Sequence, residues 1–343
     1  MDLKRKKKEE NSESGEAVAG GSDEEEEEDE YLFKPNTDKS SKKSKVIDVD
    51  FELVQPSEAY YHSVRALLNQ YLDGEDNETL DISGLADQVV NTVSIGSVVA
   101  SALEQDPADM PEYQDLPDDQ FDKIALKFNQ DRDVYGFMTI LSLTKRAKQI
   151  RGFQQIIDYV LAKASKHCNE KQKETFTEVL GKQNVGLLLN ERLINLPYIL
   201  VPQLHESLPE DLRFTKRQDD IEDPKEFDYQ YLLVISRYSI ENARSKRQQA
   251  AQATNKRMRL ATPSSTEEKL YYKAEDELFL RSAESHFSFK TIFRETMEDG
   301  TKKVIVGGGK NAPETQYKLV YLIRYSAYEN RIRELNGFLK ALQ

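Results

Sequence analysis

Val134-Tyr-Gly-Phe-Met-Thr-Ile-Leu-Ser-Leu143 is largely apolar at odd and even positions alike. A strand with one wet face alternates. A run without alternation has to be covered on both sides, which predicts a central strand between two helical layers. On its C-terminal side, Phe153, Ile156, Ile157, Val160, Leu161 and Ala164 stripe one face of a helix. A shorter helix around Phe176, Val179 and Leu180 is expected to stop at Gly181 as its C′ glycine, before a second buried strand, Val185-Gly-Leu-Leu-Leu189. On the N-terminal side, Ile47, Val49, Phe51 and Leu53 alternate with Asp48, Asp50 and Glu52, the pattern of a half-exposed strand. A helix starts at Ser57 and places Tyr60, Tyr61, Val64, Leu67, Leu68, Tyr71 and Leu72 on one face; a short helix near 83–92 leads to a strand over 93–99. Further on, the expected elements are a helix after Pro197, a strand over 229–235 and a helix over about 267–285. Paired strands at 286–294 and 317–325 follow, then a terminal helix striped by Tyr328, Ile332, Leu335, Leu339 and Leu342, with Ser326 and Glu329 as its capping box. Strands alternating with helices predict an α/β, three-layer fold: a central mixed β-sheet flanked by helices.

The composition narrows the function classes. In 343 residues, 48 Lys and Arg face 61 Asp and Glu, a formal net charge of −13. Charged residues reach 32%, against roughly 25% in an average domain. One cysteine, Cys168, excludes a disulfide framework and a cysteine-based zinc site, and points to a reducing compartment. No apolar run approaches the roughly 18 residues of a membrane span, and the opening Met-Asp-Leu-Lys-Arg lacks the apolar region of a secretory signal. The acidic balance repels nucleic-acid phosphates, so direct nucleic-acid binding is not expected.

Charge is unevenly distributed. Residues 1–45 carry almost nothing apolar and are expected to be a disordered, charged tail. Its Lys4, Arg5, Lys6, Lys7 and Lys8 form a candidate nuclear localisation signal, and an unbroken acidic run spans 23–30. The remainder, 46–343, is expected to be one domain with mobile insertions near 104–122 and 241–266. Within 73–122 there are 14 acids and no Lys or Arg. The Pro-rich part supplies the candidate partner-binding residues Asp106, Asp109, Glu112, Asp115, Asp118, Asp119 and Asp122. The second insertion is basic: Arg244, Lys246, Arg247, Lys256, Arg257 and Arg259 occur without an acid between them.

Few residues carry recognisable chemistry. His62, His167, His205 and His286 lack ligand spacing, so no metal site is expected. Cys168 adjoins His167 at a helix end, where neighbouring side chains do not face one another; it reads as structural. Gly307-Gly-Gly-Lys310 lacks the frame of a phosphate loop, and Asn311 stands where Ser or Thr would hold magnesium. Glu191 and Arg192 read as a structural ion pair closing a strand, with a partner contact as the alternative. Gln149-Ile-Arg-Gly152-Phe-Gln154 follows the central strand and approximates the Q/R-x-x-G-x-G/A loop with which GNAT acetyltransferases hold the coenzyme A pyrophosphate. Gln154 occupies the last small-residue position and obstructs a close approach, so the loop is degenerate and no cofactor and no catalytic residues are expected.

Several blocks together resemble the BCCIP family: Val49-Asp-Phe-Glu52, Ile95-Gly-Ser-Val-Val99, Val134-Tyr-Gly-Phe137 with Leu141-Ser-Leu-Thr144, Tyr231-Leu-Leu-Val-Ile-Ser236 and Phe287-Ser-Phe289. The most specific is Val185-Gly-Leu-Leu-Leu-Asn-Glu-Arg-Leu-Ile-Asn-Leu-Pro197. The resemblance spans about 46–342 and implies a GNAT-like fold without acetyltransferase activity. It further implies a nuclear or nucleolar protein, shuttling to the cytoplasm, that chaperones a basic large-subunit ribosomal protein and serves nuclear export. Implied partners are nuclear import and export receptors, a phosphoinositide kinase, and cell-cycle or recombination proteins, with no membrane partner. An acidic surface would neutralise a basic client and bind it with salt-sensitive kinetics. The alternatives are an acyl-coenzyme A-dependent N-acetyltransferase, a cell-cycle or DNA-repair scaffold, and, as a weaker reading, a nucleic-acid adaptor using the basic insertion.

Overall fold

A computed structural model describes residues 50–241, 269–296, 302–306 and 314–342, apart from single positions 70, 73, 93, 195 and 220. The tail 1–45 with its cations at 4–8, the 241–266 insertion beyond Glu241 and the loop 307–310 lie outside the described residues.

The strands are β1 (Phe51–Val54), β2 (Ser97–Ser101), β3 (Val134–Ser142), β4 (Val185–Arg192), β5 (Tyr231–Glu241), β6 (Lys269–Tyr271), β7 (Ala283–Lys290), β8 (Ile292–Thr296), β9 (Lys302–Val306) and β10 (Glu314–Arg324). Eight of them make one sheet in the order β1-β2-β3-β4-β5-β10-β7, with β6 also paired to β5; β8 and β9 form a separate hairpin. Every pairing is antiparallel except β4 with β5. The helices are α1 (Tyr61–Leu68), α2 (Gly74–Thr79), α3 (Ile82–Asn91), α4 (Asp118–Gln130), α5 (Leu143–Arg146), α6 (Arg151–His167), α7 (Glu170–Lys182), α8 (Leu200–Thr215), α9 (Glu275–Leu280) and α10 (Tyr325–Ala341).

The central strand is buried on both faces, as its lack of alternation requires. Phe137 and Leu141 of β3 pack under α1, α3, α6 and α7. Met138 and Ile140 face the opposite core, under α8, α9 and α10. β4 and β5 split the same way: Leu187, Leu189, Leu233 and Ile235 join the first core, and Leu188, Leu232 and Val234 the second. These two cores make the three layers. Gly96 holds φ at +95°, and a Cβ there would come within 2.1 Å of the Met138 carbonyl oxygen. Only glycine lets the chain turn into β2 so close to β3.

Some local expectations differ from the structure. Gly181 lies inside the last turn of α7, which runs on to Lys182; α7 is instead fixed at its start by an Asn169–Gln172 capping box. The Ser326–Glu329 box does not form: α10 begins two residues earlier, with Arg324 at its N-cap position and no side-chain cap. The helix expected over 267–285 is three elements, β6, the six-residue α9 and the start of β7. Its charges look like a solvent face in sequence but are buried, as described below. The connection 104–122 is built of short turns. Asp106 Oδ1 accepts from the Ala108 N–H at 2.9 Å to cap a 3₁₀ turn over Pro107–Asp109. Further turns close from Met110 to Tyr113 and from Tyr113 to Leu116, and Pro117 then starts α4.

Candidate functional site

β4 and β5 pair over only three residues, 185–187 against 231–233, and then diverge while each stays hydrogen-bonded to its other neighbour. The edge of β5 that β4 abandons is taken by β6, through Tyr238–Tyr271, Ser239–Leu270 and Ile240–Lys269. The chain leaves β6 at Tyr272, whose N–H donates to the Arg237 carbonyl, and enters the gap as Lys273-Ala-Glu-Asp276. Three of those four residues are ionisable, and all three are buried.

Each is held by the strand it meets. Arg192 makes a bidentate pair with Glu275, Nη1 to Oε1 at 2.6 Å and Nη2 to Oε2 at 2.9 Å, and Asn190 Nδ2 donates to Oε1 at 3.0 Å. Asp276 accepts from the Ser236 hydroxyl of β5 at 2.5 Å and from the Tyr321 hydroxyl of β10 at 2.8 Å. Lys273 Nζ donates to Glu191 Oε1 at 2.8 Å. The strand pleat sends Glu191 and Arg192 to opposite faces, so they do not pair with each other as expected. Each instead anchors one end of the inserted segment. His205 of α8 completes the cluster. Its Nδ1 lies 2.8 Å from the Tyr328 hydroxyl, while Nε2 is 3.7 Å from Glu275 Oε1, too far for a hydrogen bond.

Burial alone would raise the Glu275 carboxyl, but Arg192 and His205 together hold it well below the usual carboxylate range. Asp276 has no ion-pair partner among the described residues; burial, and then the charge of Glu275, push it up to about 6, with Lys273 pulling the other way. Burial also lowers His205, against the pull of Glu275 that favours its charged form. Two adjacent acids and a histidine invite an acid–base reading. However, every oxygen of both carboxylates is engaged by protein donors, so the cluster works as a lock across the split sheet. Sequence reasoning missed it because the partners lie 40 to 85 residues away along the chain.

The degenerate loop is put to a different use. Gln149 is exposed, Gln154 donates to Asp158 at 2.8 Å, and Gly152 is buried. A Cβ on Gly152 would meet the Leu85 Cγ at 2.9 Å and the Asp81 carbonyl oxygen at 3.3 Å. The glycine therefore seats the first turn of α6 against α3, and Gln155 ties the two together by accepting from the Asp81 N–H and donating to the Thr79 carbonyl. The connection is also antiparallel, joining β3 to β4. The parallel crossover comes one strand later, through α8, and its residues 193–199 contain no glycine. Burial raises the Cys168 thiol, in keeping with a structural residue at the end of α6. Among the described residues no cluster of His, Cys, Asp and Glu could hold a metal, and no helix is long and apolar enough to cross a membrane.

The acidic run divides in two. Its early members serve the fold: Asp81 caps α3, and Asp76 pairs with Lys163 at 3.2 Å. The later ones gather on the connection from β2 to β3. Asp106, Asp109, Glu112, Asp115, Asp118, Asp119 and Asp122 are all exposed, and none has an ion-pair partner among the described residues. The helix they lead into, α4, has no fully buried residue. A cleft of about 660 Å³ opens between α4 and the end of β2, lined by Leu103, Tyr113, Ile124 and Phe128 among others.

The BCCIP family model matches residues 46–279. The chain belongs to the BCCIP family. It is 29% identical to protein bcp-1 of Neurospora crassa over 235 residues, covering 67% of this chain and 66% of that protein. It is 23% identical to protein bcp1 of Emericella nidulans over 89% of this chain and 92% of the relative. The Arabidopsis thaliana BCCIP homolog is 26% identical over 74% of this chain and 66% of its own length. The match thus spans just under two thirds of the Neurospora and Arabidopsis family members. The crystal structure of BCP1 from Saccharomyces cerevisiae aligns over 88% of this chain and 93% of that one, at 17% identity and a TM-score of 0.47.

Proposed function

We propose that this BCCIP-family chain is a non-enzymatic nuclear protein-binding factor that chaperones a basic large-subunit ribosomal protein and acts as a nuclear transport adaptor in ribosome biogenesis. The observation that carries this reading is the set of seven exposed acids between Asp106 and Asp122 on one connection of the sheet, none with an ion-pair partner among the described residues. Carboxylates without cations of their own form a field that attracts a cationic client and covers the side chains it would otherwise turn toward RNA. The segment filling the gap between β4 and β5 supports the non-enzymatic part: space that could open beside a parallel pair is occupied by the chain's own ion pairs. Import and export receptors, a phosphoinositide kinase, and cell-cycle or recombination proteins are further partners on this reading, and the cations at 4–8 are the proposed import signal.

The test is titration of the full chain with a purified basic ribosomal protein at rising salt. Binding is expected at one-to-one stoichiometry and to weaken steeply with ionic strength. Changing the seven acids to Asn or Gln is expected to reduce affinity at least about tenfold and flatten the salt dependence. Unchanged binding by that variant would rule out this surface.

A further inference from the structure

We propose that Leu193, Ile194, Tyr198 and Ile199 form an apolar anchor site for a Lys/Arg-rich, amphipathic segment of a partner protein, an inference that rests on the basic-client reading above and adds a second recognition element to it. Single exposed apolar residues are ordinary, and Phe214, Leu270 and Leu342 are of that kind. The stretch between β4 and α8 differs. Leu193 is 41% exposed, Ile194 77%, Tyr198 47% and Ile199 73%, four large apolar side chains within seven residues. Such a concentration marks an interaction surface.

The display is held in place. The Leu193 N–H donates to the Tyr135 carbonyl of β3 at 2.9 Å, and the Leu196 N–H closes a turn back to the Leu193 carbonyl at 3.2 Å. Leu196, between the exposed pairs, is buried in the core beneath α8. The next turn brings the Leu200 N–H to the Pro197 carbonyl at 3.1 Å. A pinned loop loses little freedom on binding, which favours its use as an anchor.

Charge decides the occupant. The connections at this end of β1 to β4 carry Asp50, Glu104, Asp106, Asp131 and Asp133, all exposed and without ion-pair partners among the described residues. The two arginines of these strand ends are committed inward, Arg132 to Glu52 and Arg192 to Glu275, and the exposed Lys123 and Lys127 of α4 leave the carboxylates of these connections in the majority. An apolar patch beside a carboxylate rim repels an anionic membrane and a second copy carrying the same rim. It is complementary to a segment that offers apolar side chains between cations.

The experiment uses the full chain and two labelled probes, a short amphipathic Lys/Leu peptide and an oligolysine of equal charge, followed by fluorescence anisotropy. Wild type is expected to bind the amphipathic probe roughly tenfold more tightly than oligolysine. Ile194→Ser with Ile199→Ser is expected to abolish that preference while leaving oligolysine binding and the thermal midpoint unchanged; Ile194→Asp is a second variant with the same expectation. Equal binding of both probes by wild type, or a preference that survives both variants, overturns the proposal. So does a concentration-dependent dimer that the substitutions dissolve, since the patch would then be covered by a second copy. Loss of oligolysine binding in the acid-to-amide variant reports on the charge reading alone, so the two can fail separately.

Discussion

Removing one charge from the Glu275–Arg192 pair leaves the other unpaired in the protein interior. Exchanging a buried ion pair for apolar residues is often neutral, whereas deleting one member costs about 3–5 kcal/mol. Glu275→Gln is therefore expected to lower stability by that order in urea unfolding followed by far-UV circular dichroism. The double variant Arg192→Met/Glu275→Leu is expected to be more stable than either single change. Asp276 behaves differently. Its folded pKa of about 6 lies above the ordinary 3.8, so the folded state holds the proton more tightly than the unfolded one. Stability therefore falls as pH rises from about 4 to about 6, by on the order of 3 kcal/mol for this group. Asp276→Asn is expected to flatten that slope and raise the urea midpoint at pH 7, because an amide can still accept from Tyr321 and donate to Ser236. Glu275, held below its ordinary 4.5, acts in the opposite sense: its contribution is present above that pH and lost as pH falls below it.

At the scale of elements, glycines report what each helix end is for. Gly152→Ala is expected to destabilise by about 1–3 kcal/mol, because the new methyl meets Leu85 across the α3–α6 contact. Gly181→Ala, with nothing within 4 Å of the new atom, is expected to stabilise α7 by up to about 1 kcal/mol. Thermal unfolding of the two variants separates packing from helix propensity. The same contrast explains what could be read from sequence. β3, β4, α6 and α10 declare themselves because their burial follows a period visible within the element: double-sided for Val134–Ser142, helical for Phe153 to Ala164. The stretch 269–280 does not. Lys273, Glu275 and Asp276 have the composition of a wet helix face, and only strands up to 85 residues away make their burial affordable. α4 was missed for the converse reason: with none of its side chains fully buried, it carries too weak a stripe to stand out from the Pro-rich acids before it. Of the candidate site, the acidic residues were legible because exposed charge needs no partner to be recognised. The apolar residues at 193–199 sat inside a block that reads as strand and helix, where exposure cannot be told from burial.

For the molecule as a whole, the split sheet and the displaced glycine loop bear on cofactor binding together. Calorimetry with acetyl-coenzyme A is expected to give no heat of binding at micromolar concentrations; a micromolar dissociation constant would return the acetyltransferase reading to contention. The closing segment also bears on how the protein is made. Synthesis runs from the N-terminus, and domains begin to fold as they emerge. Val185–Arg192 and Tyr231–Glu241 leave the ribosome well before Glu275 does. Until then Arg192 has no counter-charge and the abandoned edge of β5 has no neighbour. A nascent chain of this length exposes an unsatisfied strand to anything nearby that can pair with it. The last fifth of the polypeptide thus ends the period in which the newborn protein is vulnerable to misassociation, and a premature stop codon before Lys273 would make that vulnerability permanent.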